Sequence, residues 1–213
     1  MHPRQPGLGP VEQFGRQPDY RRQVLEHAAQ VQASVLAGTG GADTAAVLLG
    51  VFGEARTSRL PALAPERPPA PSVEDLQPLP YLEGLSPAFL RHFETRWAEG
   101  ALPYTGAGGW SHRIHLRLRE PGDAPAELLT VLLADMPPSP LLGHLAGPAP
   151  ASSVSWELEL PAPAGPPADR AGWFRVDTET VAASEGYSSQ QTQLWRPDGS
   201  LAAIGYQTVA VYA

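Results

Sequence analysis

The sequence predicts an α+β protein in which an antiparallel sheet wraps around a single central helix. One long apolar helix pattern spans residues 123–136, and segments with strand-like alternation come before and after it. The tight turn Pro197-Asp198-Gly199 joins the last two strand segments and makes them antiparallel neighbours. Since one helix and one sheet must bury their apolar faces on each other, we expect the sheet to curve around the helix.

The first 60 residues predict an N-terminal arm followed by part of a separate sheet. Residues 1–19 are rich in Pro and Gly without a periodic apolar pattern, which is typical of a loose arm. Residues 20–38 fit a helix face in their first half and strand alternation in their second. Residues 45–54 (AAVLLGVFGE) form a short apolar run that predicts a buried strand. The seven prolines of residues 61–80 then predict a stiff interdomain linker, which we place at 61–85.

Residues 86–213 predict one complete domain, which opens with a helix start and two strands. Ser86 suits an N-cap and Pro87 the first position of a helix. A strand is expected at 93–97. Residues 110–119 (WSHRIHLRLR) alternate, so that the His112 face of this strand is largely apolar and the Arg113 face is basic.

The long helix and four further strands complete this domain. Asp123 is placed to cap the helix, and Pro137-Pro138 ends it. Its apolar stripe is formed by Leu128, Leu129, Leu132 and Leu133. The four strands are expected at residues 153–160, 173–184, 186–196 and 201–212.

Composition excludes several classes of chemistry. The chain has no Cys and no Lys, so thiolate nucleophiles, zinc–thiolate sites, Walker A loops and Schiff bases are excluded. The net charge of −7, without a basic cluster, argues against nucleic acid or a membrane surface as the main partner. No apolar run has the ~20 residues of a membrane span and no signal-peptide core is present, which predicts a cytoplasmic protein.

Three segments of the second domain carry a resemblance to a known family. They are LLADMPPSP (132–140), ASSVSWELEL (151–160) and GWFRVDTETVAASEGYSSQQTQLWRPDGSLAAIGYQ (172–207). In this order, they resemble the thioesterase II branch of the acyl-CoA thioesterase-like superfamily, whose members contain two hotdog domains. The resemblance implies a complete second hotdog at 86–213. Residues 27–56 resemble the closing strands of the first hotdog, whose opening strand and helix this chain lacks.

The same resemblance implies a site for thioester hydrolysis by an activated water. Asp135 matches the family's carboxylate, Ser153 its hydroxyl and Gln207 its carboxamide, which together hold the water. Asp135 would act as general base, and the other two would position the water by hydrogen bonds. No covalent intermediate, metal or cofactor is implied. Ser155 departs from the family pattern, because many relatives have Asp there.

Two further residues are candidates for substrate contact. His144 follows the helix in a Gly/Pro-rich loop near the expected cleft, although a solvated side chain is the simpler interpretation. Arg113 is an alternative contact for the phosphates of coenzyme A, although a row of Arg on a strand is usually a solvated face. Asp135 and Gln207 also have structural interpretations, as a helix-end residue and a partnered strand residue, and Ser152 is an equal rival of Ser153.

Rival functions remain open at this point. The short first hotdog and Ser155 favour a non-catalytic module that binds an acyl chain or acyl-CoA, or that serves in assembly. A hotdog dehydratase ranks last, because it needs a catalytic His on or near the central helix and residues 124–136 contain none. Exposed sheet edges predict a homodimer or a larger homo-oligomer. The leading hypothesis is hydrolysis of an acyl-CoA thioester in lipid metabolism.

Overall fold

The computed structural model describes residues 19–25, 28–37, 43–161 and 169–213. The chain divides into two compact units, residues 1–61 and 62–213. The predicted N-terminal arm lies largely outside the described residues. In the part of the chain that is described, no helix is long and apolar enough to cross a membrane.

The first unit is a three-stranded antiparallel sheet in the order β1-β2-β3. Its strands are β1 (Asp19–Leu25), β2 (Ala28–Ala37) and β3 (Asp43–Gly53). The ambiguous segment 20–38 is therefore two strands, and its helix interpretation is wrong. β3 is a strand as predicted, but its large side chains are exposed and not buried, namely Val47, Leu48, Leu49, Val51 and Phe52. No helix occurs in the described portion of this unit.

The second unit is a six-stranded antiparallel sheet with one α-helix, α1 (Ala126–Asp135). The strand order is β4-β5-β7-β8-β9-β6, so that β4 and β6 form the two edges. The strands are β4 (Phe93–Glu99), β5 (Ser111–Leu118), β6 (Ala151–Glu159), β7 (Phe174–Ser184), β8 (Tyr187–Trp195) and β9 (Leu201–Val211). Short 3-10 helices occur at Val73–Asp75, Ala88–His92 and Pro140–His144.

The inner face of this sheet packs on α1. Leu129, Leu133 and Met136 are buried against side chains of β5, β7 and β8, including Ile114 and Val176. Fully burying a side chain of this size contributes about 1.5–3 kcal/mol, so this cluster stabilises the unit. The predicted helix stripe is only half correct, because Leu128 and Leu132 are exposed.

The Pro-rich segment 62–85 belongs to the second compact unit and covers the outer face of its sheet. The carbonyl of Pro68 accepts a hydrogen bond from Arg175 at 2.7 Å, and that of Pro69 accepts one from Arg113 at 2.9 Å. His115 bonds to the Pro71 carbonyl at 3.0 Å. Part of the segment predicted as a linker is thus a packed layer on the sheet. The domain bounds themselves stay a prediction.

Two predicted helix caps are absent. α1 begins after Pro125, whose backbone is extended, and no side chain caps it, so Asp123 does not act as an N-cap. Pro87 and not Ser86 precedes the short helix Ala88–His92, and the Ser86 hydroxyl instead accepts a hydrogen bond from the Leu82 N–H at 3.0 Å. In both cases a Pro, which has no N–H and a fixed φ, occupies the position immediately before the helix in place of a capping side chain.

Candidate active site

A row of polar side chains crosses three neighbouring strands at the β6 edge of the second sheet. The side-chain amide of Gln190 on β8 donates to the Oε1 of Gln207 on β9 at 2.8 Å. The Nε2 of Gln207 donates to the Oγ of Ser153 on β6 at 2.7 Å. Two of the three residues predicted to hold the catalytic water are therefore in direct contact.

Strand register explains why these three residues meet. Gln190 lies directly opposite Gln207. Ser153 lies opposite Val209, which follows Gln207 as the next residue on the inner face of β9. A bulge in β6 between Ser153 and Ser155 shifts the alternation, so that Val154 is exposed. Ser153 then lies on the inner face, toward Gln207. Its rival Ser152 lies opposite Ala210 and bonds only to the adjacent Ser153 carbonyl, at 3.4 Å.

The segment that follows α1 is attached to the same end of the sheet. Ser139 and Ser188 form a buried hydrogen bond of 3.3 Å between their hydroxyls. The ring of His112 bonds through Nε2 to the Pro138 carbonyl at 2.8 Å. Because a carbonyl only accepts, Nε2 of His112 carries the proton. Burial lowers the pKa of His112, which favours the neutral ring.

Asp135, the last residue of α1, is not part of the polar row. The side chain of Asp135 is exposed to solvent. The protein packed on one side of it nevertheless raises its pKa above the usual value for Asp, by desolvation. Among the described residues no hydrogen-bond donor offsets this effect. The structure thus gives Asp135 the environment of a carboxylate with enhanced basicity, without a contact to Ser153 or Gln207.

An apolar groove with a volume of about 540 Å³ includes Asp135 in its lining. It lies between α1 and the β4–β5 side of the sheet. The residues lining it are Phe89, His92, Phe93, Leu118, Glu120, Leu132, Asp135 and Met136. The exposed Leu132 forms part of its wall, which gives an otherwise unexplained apolar residue on α1 a place in a concave surface.

The two weaker candidates, His144 and Arg113, lie elsewhere. His144 bonds to the Gly109 carbonyl at 3.0 Å, and its ring lies on that of Trp110 with 4.1 Å between centroids. Arg113 lies on the outer face, bonded to Glu99 at 2.6 Å and 3.8 Å from Asp177. The charge of Arg113 is therefore neutralised within the protein, on the face opposite the polar row, which leaves a phosphate contact without support.

The sequence did not predict the roles of Gln190 and Ser139 or the hydrogen bond between His112 and Pro138. A detectable signal existed for Gln190, because it shares the even-numbered face of β8 with the buried Thr192 and Leu194. A Gln on a buried face must find partners. The bonds to Pro138 and Ser139 depend on how the chain folds back after Pro137, which local pattern does not encode. Within the described ranges, no cluster of three or more His, Asp or Glu side chains could hold a metal ion.

The fold of this chain is that of hotdog proteins. A protein of unknown function with a hotdog fold from Alicyclobacillus acidocaldarius is similar, with a TM-score of 0.68 and 16% identity, covering 92% of this chain and 73% of that one. The acyl-CoA thioesterase II TesB2 of Mycobacterium marinum gives a TM-score of 0.64 and 16% identity with the same coverage. The tesB protein of Mycobacterium avium subspecies paratuberculosis gives 0.68 and 13%, covering 97% and 76%. These comparisons confirm the predicted fold.

The family is shown by sequence. Residues 65–211 match the family described as acyl-CoA thioesterase C-terminal domain, and the chain belongs to that family. This confirms the resemblance on which the site was predicted. A comparison with curated proteins finds no significant match.

Proposed function

We propose that this protein hydrolyses an acyl-CoA thioester to a free acid and coenzyme A. Membership in the acyl-CoA thioesterase C-terminal domain family supports the reaction class. The observation that carries the assignment to particular residues is the 2.7 Å bond from Gln207 to Ser153, because two side chains matched to the family's site contact each other across β6 and β9.

The proposed reaction needs no covalent intermediate on the protein. A water oxygen attacks the thioester carbon, and Asp135 takes a proton from that water as general base. The C–S bond breaks, and the departing thiolate of coenzyme A takes up the proton that Asp135 accepted, so that it leaves as the thiol and Asp135 is ionised again. Ser153 and Gln207 position the reacting oxygen by hydrogen bonds. The raised pKa of Asp135 supports its role, since a base works best with a pKa close to the working pH.

The apolar groove beside α1 is the site we propose for the acyl chain. Its lining is largely aliphatic and aromatic, and Asp135 is one of the lining residues. A chain lying in this groove would have its carbonyl carbon near the proposed base. The alternative is a site farther from α1, which the groove variants described in the Discussion distinguish.

Release of free thiol from acyl-CoAs of several chain lengths tests this function. The protein contains no Cys, so thiol detection has no background from the protein. We expect the wild type to hydrolyse at least one acyl-CoA, and Asp135→Ala to lose about a hundredfold or more in kcat. Asp123→Ala, an exposed Asp before α1, is the matched control and should keep full activity. An active Asp135→Ala variant would contradict the role of this carboxylate.

A second candidate is a module that binds acyl-CoA without hydrolysing it. The absence of a direct hydrogen bond between Asp135 and either Ser153 or Gln207 among the described contacts favours it. Folded wild-type protein that binds acyl-CoA and releases no thiol would establish this alternative.

We also propose a homodimer or larger homo-oligomer. The edge strand β6 supports it, since Val154 is exposed there and Trp156 is partly so. An exposed edge with apolar side chains favours pairing with another strand. Sedimentation of a monomer at micromolar concentration would contradict the proposal. The cytoplasmic location stays a prediction.

A further inference from the structure

Gln190 is a buried polar residue whose position relative to the proposed site is set by two strands. It is 4% exposed, and it stands directly opposite Gln207 on β9 and Thr180 on β7. Its Nε2 donates to Gln207, and its Oε1 is buried without a hydrogen-bond partner among the described residues. The only side-chain hydrogen bond of Gln190 among the described residues is therefore the one to the carboxamide of Gln207.

The hydrogen bond from Gln190 to Gln207 determines which group donates and which accepts along the polar row. Gln207 accepts at Oε1 from Gln190 and donates from Nε2 to Ser153. Because the Oγ of Ser153 accepts this bond, its own O–H is available to donate to another group. The second N–H of Gln207 is available in the same way. The polar row thus presents hydrogen-bond donors at the end that lies on β6 and β9.

The opposite direction is less favourable. It would require both carboxamides to turn over, so that Gln190 placed its NH₂ group, with two N–H donors, where its Oε1 now lies. The Oε1 of Gln190 and the hydroxyl of Thr180, the residue opposite it on β7, both lack a hydrogen-bond partner among the described residues, so the two groups do not bond to each other. N–H donors placed at this position would therefore have no acceptor in the observed arrangement. Buried N–H groups without acceptors are rarer in proteins than under-satisfied carbonyl oxygens, so the observed direction is favoured.

We propose that Gln190 is a positioning residue that fixes the carboxamide of Gln207, so that Ser153 and Gln207 act as donors to the reacting oxygen. The inference rests on the proposed thioesterase function and adds a residue to it. Gln190 does not touch the substrate; it determines which atom of Gln207 points toward Ser153. Neutral hydrogen bonds of this kind keep one polarity at every pH in which the fold is stable.

Gln190→Glu tests this role through pH. An ionised carboxylate only accepts, so Gln207 would turn its NH₂ toward position 190 and its Oε1 toward Ser153. A protonated carboxyl group donates and restores the original direction. Burial should raise the pKa of this Glu above its ordinary value of about 4.3, bringing the change into an accessible range.

We expect kcat of Gln190→Glu to be about ten- to a hundredfold below wild type at pH 8, with KM changed less than about twofold. The ratio of variant to wild-type kcat should rise by about fivefold or more as the pH falls to 5.5, since the protonated form donates. Taking the ratio at each pH removes contributions of the other titratable groups on this side of the sheet. These include His112 on β5, Asp135 on α1, His144 after it, and the groove residues His92 and Glu120. A ratio that does not change with pH, or a change in KM alone, would overturn the proposal.

Two further variants separate positioning from a loss of structure. Gln190→Leu has no donor in either state, so its kcat should be low with a ratio to wild type that is constant with pH. Gln191→Glu places the same charge one residue away on the outward-facing side of β8, opposite Glu179, and should keep wild-type kcat. Equal losses in Gln191→Glu and Gln190→Glu would show that a charge on this strand, and not the contact to Gln207, causes the effect.

A measurement without turnover keeps this test independent of the proposed function. The side-chain amide signals of Gln207 in proton–nitrogen NMR should titrate in Gln190→Glu and stay constant over the same pH range in Gln191→Glu. In Gln190→Leu they should exchange faster with water than in wild type. If wild type hydrolyses no acyl-CoA but these signals behave as expected, the proposed function fails and the positioning role stands. Signals of Gln207 that ignore position 190 would overturn the role itself.

Discussion

At the residue scale, the catalytic role proposed for Asp135 is accompanied by a cost in stability. Desolvation raises its pKa, which means that the folded protein disfavours the ionised carboxylate relative to the unfolded chain. For a folded-state pKa above the unfolded value of 3.8, the relative stability is greatest below that value and is lost as the pH rises through the folded pKa. The folded protein is therefore less stable with Asp135 ionised, which is the form that the proposed reaction needs.

Replacing Asp135 by Asn removes this cost. We expect Asp135→Asn to raise Tm at pH 7 while hydrolysis is lost, because Asn carries no charge to desolvate. The gain in Tm should disappear as the pH falls below about 3.8, where the wild-type carboxyl group is protonated as well. Thermal unfolding at several pH values measures the difference. Asp123→Asn is the control, and a lower Tm for Asp135→Asn at pH 7 would contradict the expectation.

The polar row shows what sequence can and cannot predict at this scale. Ser153 and Gln207 were assigned from a family resemblance, and their contact depends on the bulge in β6 that turns Ser153 inward. Strand alternation does not encode that bulge. Gln190 has no counterpart in the quoted motifs, and only the register of β8 against β9 reveals it. Pairing between strands distant in sequence determines such contacts, so local patterns predict the strands but not their partners.

At the element scale, α1 exposes one apolar side while burying the other. Leu129 and Leu133 enter the core, whereas Leu128 and Leu132 remain exposed. Of the latter pair, only Leu132 lines the groove that includes Asp135. The sequence predicted one stripe for all four residues, because periodicity marks apolar positions without telling a core contact from a groove wall.

If the acyl chain lies in this groove, the groove lining should determine which acyl-chain lengths are hydrolysed. Leu132→Trp adds volume to its wall, so we expect the variant to lose activity toward long acyl-CoAs by about tenfold or more in kcat/KM, with a smaller loss for short ones. Leu128→Trp places the same side chain one turn earlier on the exposed side of α1, outside the groove lining, and serves as the control. Profiles of kcat/KM against chain length measure the effect. Equal profiles for the two variants would place the acyl chain elsewhere.

The outer face of the sheet depends on a buried ion pair. Arg175 is 3% exposed, bonds to both carboxylate oxygens of Asp177 at 2.8 Å, and holds the Pro68 carbonyl at 2.7 Å. Asp177 also accepts a hydrogen bond from the indole of Trp195 at 3.1 Å. The pair thus joins β7 and β8 to the Pro-rich segment, which composition alone predicted to be a stiff interdomain linker.

Removing the cation of this pair should be costly. Arg175→Met removes two hydrogen bonds to Asp177 and one to the Pro68 carbonyl, and we expect a loss of about 3–5 kcal/mol in the free energy of unfolding. Arg119→Met removes an exposed ion pair with Glu94 at 3.5 Å and should cost about 1 kcal/mol or less. Urea unfolding measures both. Limited proteolysis should cut residues 62–72 faster in Arg175→Met alone, and similar effects of the two variants would contradict the structural role of the pair.

At the scale of the whole molecule, two neutral histidines make the second unit sensitive to acid. His112 and His115 lie on opposite faces of β5, and each bonds through Nε2 to a proline carbonyl, that of Pro138 or Pro71. One contact anchors the segment after α1, and the other anchors the Pro-rich layer. Desolvation is the largest effect on both rings and lowers the pKa of each. Protonation thus acts on both sides of the sheet.

The sign of the effect follows from proton binding. With folded pKa values below the unfolded value of 6.5, the unfolded chain binds more protons than the folded protein as the pH falls below 6.5. Stability is therefore fully present above about pH 6.5, and each ring contributes up to about 1.4 kcal/mol of loss per pH unit until its folded pKa is reached. Urea unfolding between pH 5 and 8 should show this slope.

His115→Gln should reduce the slope, because Gln keeps a donor for the Pro71 carbonyl and does not titrate. His92→Gln, at the end of the short helix before β4, is the control and should leave the slope of wild type unchanged. Carboxylates also contribute to the total slope, but they are the same in all three proteins, so the difference between variants isolates the ring. If His115→Gln and wild type lost stability in parallel from pH 7 to 5, the neutral ring at position 115 would not be a source of acid sensitivity.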